Sequence, residues 1–314
     1  MNVNGLVNET SLFYLSRIGS TSYIGDLELH ATLSCPTGQG LHLSTRYDEI
    51  ALNLWVNEAA WCDWLEPQLT APSFAQIDQS LHQLLASWTL APLDEWLQTQ
   101  GLSRMAPATI CRADAPTQCW CLTIRGSGRR LSIYLDGVPP VLIRQWLSAM
   151  TPNSTIFHEF GLLLGWCTLS LSELGTLAKG DVLTLHGIDD ALGRFWLKPR
   201  EEALKPADQL PSLDKLQLQL NSDLLGQFTQ TTYQLPPPSF DSVELIVECG
   251  SINLEASTLA CCSTSFEFPV HITTYPTLRL LKDSTLLAEG ILLRMDDGWA
   301  IRLTSLVCME IVVM

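Results

Sequence analysis

No lysine precedes Lys179, and the 314 residues carry a formal charge of −15. A chain so poor in clustered cations is not built to hold a phosphate backbone, so nucleic acid is excluded as an unassisted partner. No apolar run approaches the roughly 18 residues that a membrane-spanning helix needs. The opening stretch MNVNGLVNETSLF has no basic segment ahead of a hydrophobic one, so no secretory signal is expected and the chain is predicted to stay in the cytoplasm. Its 10 cysteines are scattered, which predicts free thiols rather than a disulfide framework.

Catalytic patterns are equally scarce. His30, His42, His82, His158, His186 and His271 never fall at chelating spacing. His30 and His42 are placed to face each other across a hairpin, as a surface pair. Ser127, in Arg125-Gly126-Ser127-Gly128, lacks the Gly-x-Ser-x-Gly elbow and reads as a turn. The carboxylate pairs Asp189-Asp190 and Asp296-Asp297 sit in polar breaks, where turn chemistry accounts for them, and Glu201-Glu202 reads as a solvated face. Cys119 and Cys121 share one strand face with Thr123, with no second ligand pair at zinc-like spacing. No catalytic, metal or cofactor residue is assigned.

What is present is tryptophan and alternation. Trp55, Trp61, Trp64, Trp88, Trp96, Trp120 and Trp146 all fall within residues 1–150 and read as a core stripe. Ile24–Leu33 alternates as a strand, with Gly40–Arg46 expected beside it and Ile50–Val56 another strand. Ser80–Gln100 has helical spacing, which Pro92 is expected to break in two. Gln118–Arg125 and Arg130–Leu135 flank a glycine turn and predict a hairpin. Val141–Met150, after Pro139-Pro140, predicts a short helix. Residues 1–152 are thus expected to form an α+β domain.

The remainder repeats. In ungapped register at an offset of 83, Leu162, Leu164, Leu169, Leu171, Leu183 and Leu185 fall on Leu245, Val247, Ile252, Leu254, Phe266 and Phe268. Phe195 and Leu197 fall on Leu278 and Leu280, and Leu216, Leu218 and Leu220 on Trp299, Ile301 and Leu303. Shared period-2 spacing predicts two small mainly-β domains, 155–225 and 241–314, with the same buried face. Residues 226–240, ending in Pro236-Pro237-Pro238-Ser239-Phe240, are expected to be an extended linker outside any sheet. Units this small expose strand edges that invite pairing with one another.

The motifs in these copies carry a family likeness. The first reads LLLGWCTLSLSELGTLAKGDVLTL, with Leu169, Leu171 and Leu174 followed by Gly180-Asp181. The second reads LIVECGSINLEASTL, SFEFPVHITTY and LLAEGILLRMDDGWAIRLTSL, with Pro269-Val270, Gly290, Gly298 and Leu306. In this register Ser257 stands where the third motif leucine belongs, and Ser263-Thr264 replaces Gly-Asp. Together residues 155–308 resemble tandem SpoA domains, as in the cytoplasmic ring proteins of type III secretion systems (the SctQ/YscQ family) and, in single copies, the flagellar proteins FliM and FliN.

The resemblance implies intertwined β modules and self-association through them. It implies a non-enzymatic sorting-platform component, peripheral to the inner membrane. Its partners would be the stator protein of the export ATPase, a membrane-side adaptor and chaperone–effector complexes. The alternative it leaves is a flagellar motor switch-type component, although residues 1–20 show no recognisable signal-binding segment. Leu254, Leu259, Phe266, Phe268 and Leu286 are the candidate partner-interface residues, with Leu259 and Leu286 the better surface candidates. Apolar side chains on so small a module either fill its core or meet a partner.

Overall fold

The computed structural model describes residues 9–66, 68–126, 128–200, 215–222, 225–231, 242–261, 266–282 and 284–307. Ser127, Glu201-Glu202, Pro236–Pro238, Ser263-Thr264 and the apolar tail 308–314 lie outside them. The chain divides into one unit of Ser16–Ile156 and another of Phe157–Met314 with Met1–Leu15. Helix α1 (Glu9–Arg17) straddles the division.

The Ser16–Ile156 unit is α+β. It comprises β1 (Thr21–Ile24), β2 (Leu27–Ser34), β3 (Gly40–Tyr47), β4 (Ile50–Asn57), α2 (Glu58–Leu65), α3 (His82–Thr99), β5 (Thr109–Ala113), β6 (Cys119–Gly126), β7 (Arg129–Tyr134) and α4 (Pro140–Ser148). Its seven strands run in the order β1-β2-β6-β7-β4-β3-β5. The β6–β7 hairpin and α4 form where the glycine turn and the proline pair place them. Two expectations need correction. Strand β3 pairs with β4 and β5, not β2, so His30 and His42 do not face each other. The β3–β4 turn is Asp48-Glu49, both at positive φ, a conformation usually advertised by Asn or Gly. Helix α3 also runs unbroken through Pro92. The proline costs one backbone hydrogen bond, but Leu85, Ala86, Leu90, Leu93 and Trp96 are buried on either side of it and hold the helix together.

Trp55, Trp61, Trp96 and Trp146 are fully buried, and packing governs their placement. The Trp61 indole N–H donates to Thr89 Oγ1 at 2.8 Å, and that hydroxyl donates to Leu85 O at 2.7 Å. Thr89→Val keeps the shape but orphans the buried indole N–H. The expected loss is about 1–3 kcal/mol, read as the shift in chemical unfolding.

The second unit holds β8 (Phe157–Ser170), α5 (Leu171–Thr176), β9 (Val182–Leu185), β10 (Arg194–Pro199), β11 (Lys215–Ser222), β12 (Leu225–Thr231), β13 (Ser242–Glu255), α6 (Ala256–Ala260), β14 (Glu267–Pro269), β15 (Ile272–Lys282), β16 (Thr285–Met295) and β17 (Gly298–Leu306). Ten strands form one sheet in the order β14-β12-β11-β10-β8-β13-β15-β16-β17-β9. Exchanging β8–β12 for β13–β17 and reversing the direction returns the same order. The two copies are therefore related by a pseudo-twofold axis between β8 and β13. Each also gives away one strand: β9 of the first pairs with β17 of the second, and β14 of the second pairs with β12 of the first.

The hydrogen-bond register follows the same symmetry. Leu183↔Ile301 matches Phe268↔Gly226, Val182↔Arg302 matches Glu267↔Gln227, and Leu163↔Trp196 matches Glu248↔Arg279. Each central strand carries one bulge, at Leu164 in β8 and Cys249 in β13. Beside each bulge lies a glycine with no room for a Cβ. At Gly165 it would lie 2.2 Å from His186 O, and at Gly250 2.5 Å from Thr273 O. At Gly165 that closeness accompanies an isolated bridge, Trp166 N to His186 O at 3.0 Å and His186 N to Trp166 O at 2.7 Å. It returns the β9 end of the sheet to β8 and closes a barrel.

These landmarks correct the repeat register. Bulge on bulge and glycine on glycine give an offset of 85 for β8/β13 and β9/β14, while 83 holds for β10/β15. A slip of two leaves every side chain on its own face, so period-2 alternation does not detect it. In the corrected register Leu169 matches Leu254 and Leu174 matches Leu259, so the third motif leucine is present. Strand β11 answers to β16 rather than β17, because residues 200–214 lie between β10 and β11 whereas only 283–284 separate β15 from β16. The presumed linker needs correction too: Leu225–Thr231 forms β12, paired with β11 and β14. Its buried Phe228 explains why.

Candidate partner-binding surface

One barrel core is formed by Cys167, Leu174, Leu183, Leu185, Leu245, Val247, Leu280, Leu287, Ala288, Ile301 and Leu303, with Leu169 packed against it. It draws on both copies. Leu254, Leu259 and Phe268 are the counterparts of Leu169, Leu174 and Leu183, and they are only 2%, 3% and 1% exposed. Leu259 therefore packs inward from α6 and is not the surface residue expected of it. Leu286 is half-buried on β16. Phe266 is 42% exposed.

Phe266 opens an aromatic run that leads from solvent to core. Its ring stacks on Phe268 at 6.4 Å, and Phe268 packs on Phe228 of β12 at 4.9 Å. Leu225, opposite Pro269 at the other end of β14, adds exposed apolar surface on the opposite face. Strand β14 is an end of the sheet, with one pairing partner among the described residues. The exposed apolar end of a short edge strand is a site for an added strand or apolar segment. The candidate set thus brings Phe266 and Phe268 together at one edge and places Leu254 and Leu286 on other strands. Leu225 was missed because its strand reads as the start of a polar linker.

Near the pseudo-twofold axis lies a charged cluster. Glu248 of β13 is 3% exposed. Arg200, following β10, reaches Glu248 at 3.0 Å and Glu159 of β8 at 3.1 Å, and also donates to the Tyr275 hydroxyl. Arg279 of β15 lies over the Tyr275 ring at 3.9 Å. Burial pushes the Glu248 carboxyl above its ordinary 4.5, opposed by Arg200, Arg279 and Lys198 and reinforced by Glu159. The folded chain therefore holds this proton to higher pH than the unfolded chain does. The group's contribution to stability is full below the unfolded value and is lost as pH rises through the folded one. In urea titrations from about pH 4 to about pH 7.5, wild type should lose stability relative to Glu248→Gln as pH rises. Parallel profiles would contradict this.

Two family models cover nearly the whole chain. The SepQ protein N-terminal domain matches residues 11–150, and the SepQ protein C-terminal domain matches residues 153–308. The chain belongs to the SepQ family. It is also similar to the secretion system apparatus protein SsaQ of Salmonella typhimurium (strain LT2), 23% identical over 318 residues, covering 90% of this chain and 91% of that protein. These findings bear out the resemblance to the SctQ/YscQ family drawn from the leucine motifs.

The chemistry of this SepQ-family chain is otherwise quiet. Burial pushes the thiols of Cys119, Cys167 and Cys249 up to about 12, so they stay protonated and poorly nucleophilic. Among the described residues no three His, Cys, Asp or Glu side chains cluster as metal ligands, and no helix is long and apolar enough to cross a membrane. His42 Nε2 lies 2.9 Å from Asp136 Oδ2, within the first unit's fold. Asp189 caps a turn by accepting from Gly193 N at 3.1 Å.

Proposed function

We propose that this chain is a non-enzymatic scaffold of the cytoplasmic sorting platform of a type III secretion system. It links a membrane-side adaptor to the stator protein and export ATPase and helps receive chaperone–effector complexes. Its place is the cytoplasmic side of the inner membrane. Membership of the SepQ family and the likeness to a secretion apparatus protein support the setting. The observation that carries the scaffold role is the reciprocal strand exchange, which fuses two small units into one block. Such a block leaves strand β14 at one end of the sheet, with the exposed Phe266 beside it.

The test is titration of the full chain with a purified ATPase-stator homologue, by calorimetry and co-elution. The expected result is a complex at micromolar concentration, weakened tenfold or more by Phe266→Asp at unchanged thermal midpoint. Folded protein that fails to associate would overturn the stator link. Association indifferent to Phe266→Asp would move the docking site away from β14.

A further inference from the structure

The chain has 33 acidic side chains to 18 basic ones, yet Arg125, Arg129 and Arg130 flank a single glycine turn between β6 and β7. Alternation along the strand divides them between two faces. Arg129 turns toward α2: it donates to Trp64 O at 2.9 Å, and its guanidinium lies 5.2 Å from the centre of the Trp64 ring. Arg125 and Arg130 share the other face, directly opposite each other across the hairpin, and both are exposed. That face carries no core, because the residues pointing inward from the same strands, Ile124 and Leu131, are the fully buried ones.

Like charges directly opposite each other on a sheet face cost stability. One carboxylate answers the two guanidinium groups: Glu28 of β2, on the same row, reaches Arg125 at 3.9 Å. Arg130 has no ion pair among the described residues. The next row holds His30 opposite Thr123. Burial holds the His30 imidazole below its ordinary 6.5, and Arg125 and Arg130 push it the same way against Glu28. The local field is therefore positive on a chain whose formal charge is −15. The row of Arg130, Arg125 and Glu28 ends at Tyr23 of the edge strand β1, which is 67% exposed. Four neighbouring strands span about 14 Å, the reach of about four extended residues.

We infer that the row from Tyr23 to Arg130 is a docking site for a short, extended, acidic peptide segment of a partner protein. Carboxylates on that segment pair with Arg125 and Arg130 and relieve their mutual repulsion, and Tyr23 offers an aromatic contact at the far end. The size of the site selects this occupant. A nucleic acid or an anionic membrane extends its charge well beyond one row and meets the repulsion of an acidic chain, whereas a short segment meets the row alone. The inference rests on the first unit's sheet and is independent of the stator link.

The experiment titrates the full chain into a short fluorescein-labelled peptide of alternating Glu and Asp, with a Gln/Asn peptide as its match, and reads anisotropy. At low ionic strength the acidic peptide should bind in the micromolar range, tenfold or more tighter than its match. Raising the salt from about 20 mM to about 300 mM should remove most of that preference. Arg125→Gln and Arg130→Gln should each weaken the acidic peptide fivefold or more. Arg302→Gln, an exposed arginine of the second unit, should leave its affinity unchanged. Arg130→Gln should also melt no lower than wild type, since it removes a like-charge pair. Absence of a preference for the acidic peptide, or equal losses in Arg130→Gln and Arg302→Gln, overturns the site. A lower midpoint for Arg130→Gln overturns the claim that the arginine pair is kept for a partner. Arginine-dependent binding to phosphatidylglycerol vesicles, with none to the peptide, overturns the proposal in favour of a membrane surface.

Discussion

Phe268→Ala should cost the second unit about 3–5 kcal/mol, and the damage should appear in both copies. Phe268 belongs to the second copy, yet its strand β14 pairs with β12 of the first, and its ring packs at 4.9 Å on Phe228 there. The residue is 1% exposed, so alanine leaves a cavity that the surrounding strands close only in part. Val270 and Leu218 border the same space, since a Cβ on Gly226 would touch both. Equilibrium unfolding followed by far-ultraviolet dichroism measures the loss. A cost under about 1 kcal/mol would mean that this ring is not a core member.

Gly165→Val should be comparably severe, at about 3 kcal/mol or more. The first atom a Cβ meets here is the backbone oxygen of His186 at 2.2 Å, and the next are His186 C and Ile188 N. A backbone obstacle does not rotate aside as a flexible side chain would. Relief requires His186 to withdraw, which breaks both hydrogen bonds of the Trp166–His186 bridge and opens the barrel wall between β8 and β9. Gly250, facing Thr273 O at 2.5 Å, should respond in the same direction. A Gly165→Val chain with an unchanged thermal midpoint would contradict the closed-barrel description.

What could be read from the sequence followed from the range of its signals. Local signals held: the Gly126–Gly128 turn gave its hairpin, Pro139-Pro140 opened α4, and the alternating leucines of both copies form strands. Family membership followed from those leucines with the glycines and Pro269-Val270. Register was not legible, because alternation of period 2 looks the same after a slip of two. Only the bulges at Leu164 and Cys249 and the crowded glycines fix it, and they depend on neighbouring strands. The β3–β4 pairing was missed because Asp48-Glu49 adopts a glycine-like turn without glycine. Of the candidate surface, Phe266 was legible as an apolar residue in a short strand segment. Leu254 and Leu259 are core as the counterparts of Leu169 and Leu174 in the corrected register, and Phe268 is core because its strand is exchanged, which no local pattern encodes.

Native-state hydrogen exchange on the full chain, wild type against Phe268→Ala, tests the reciprocal exchange most directly. Amides of β12, about 40 residues earlier in the chain, should lose protection together with β14, while the β16–β17 hairpin, on the other side of the axis, keeps more of its own. Loss confined to residues 266–306, with β12 unchanged, would mean that each copy folds on its own strands and that the interlocked block does not exist.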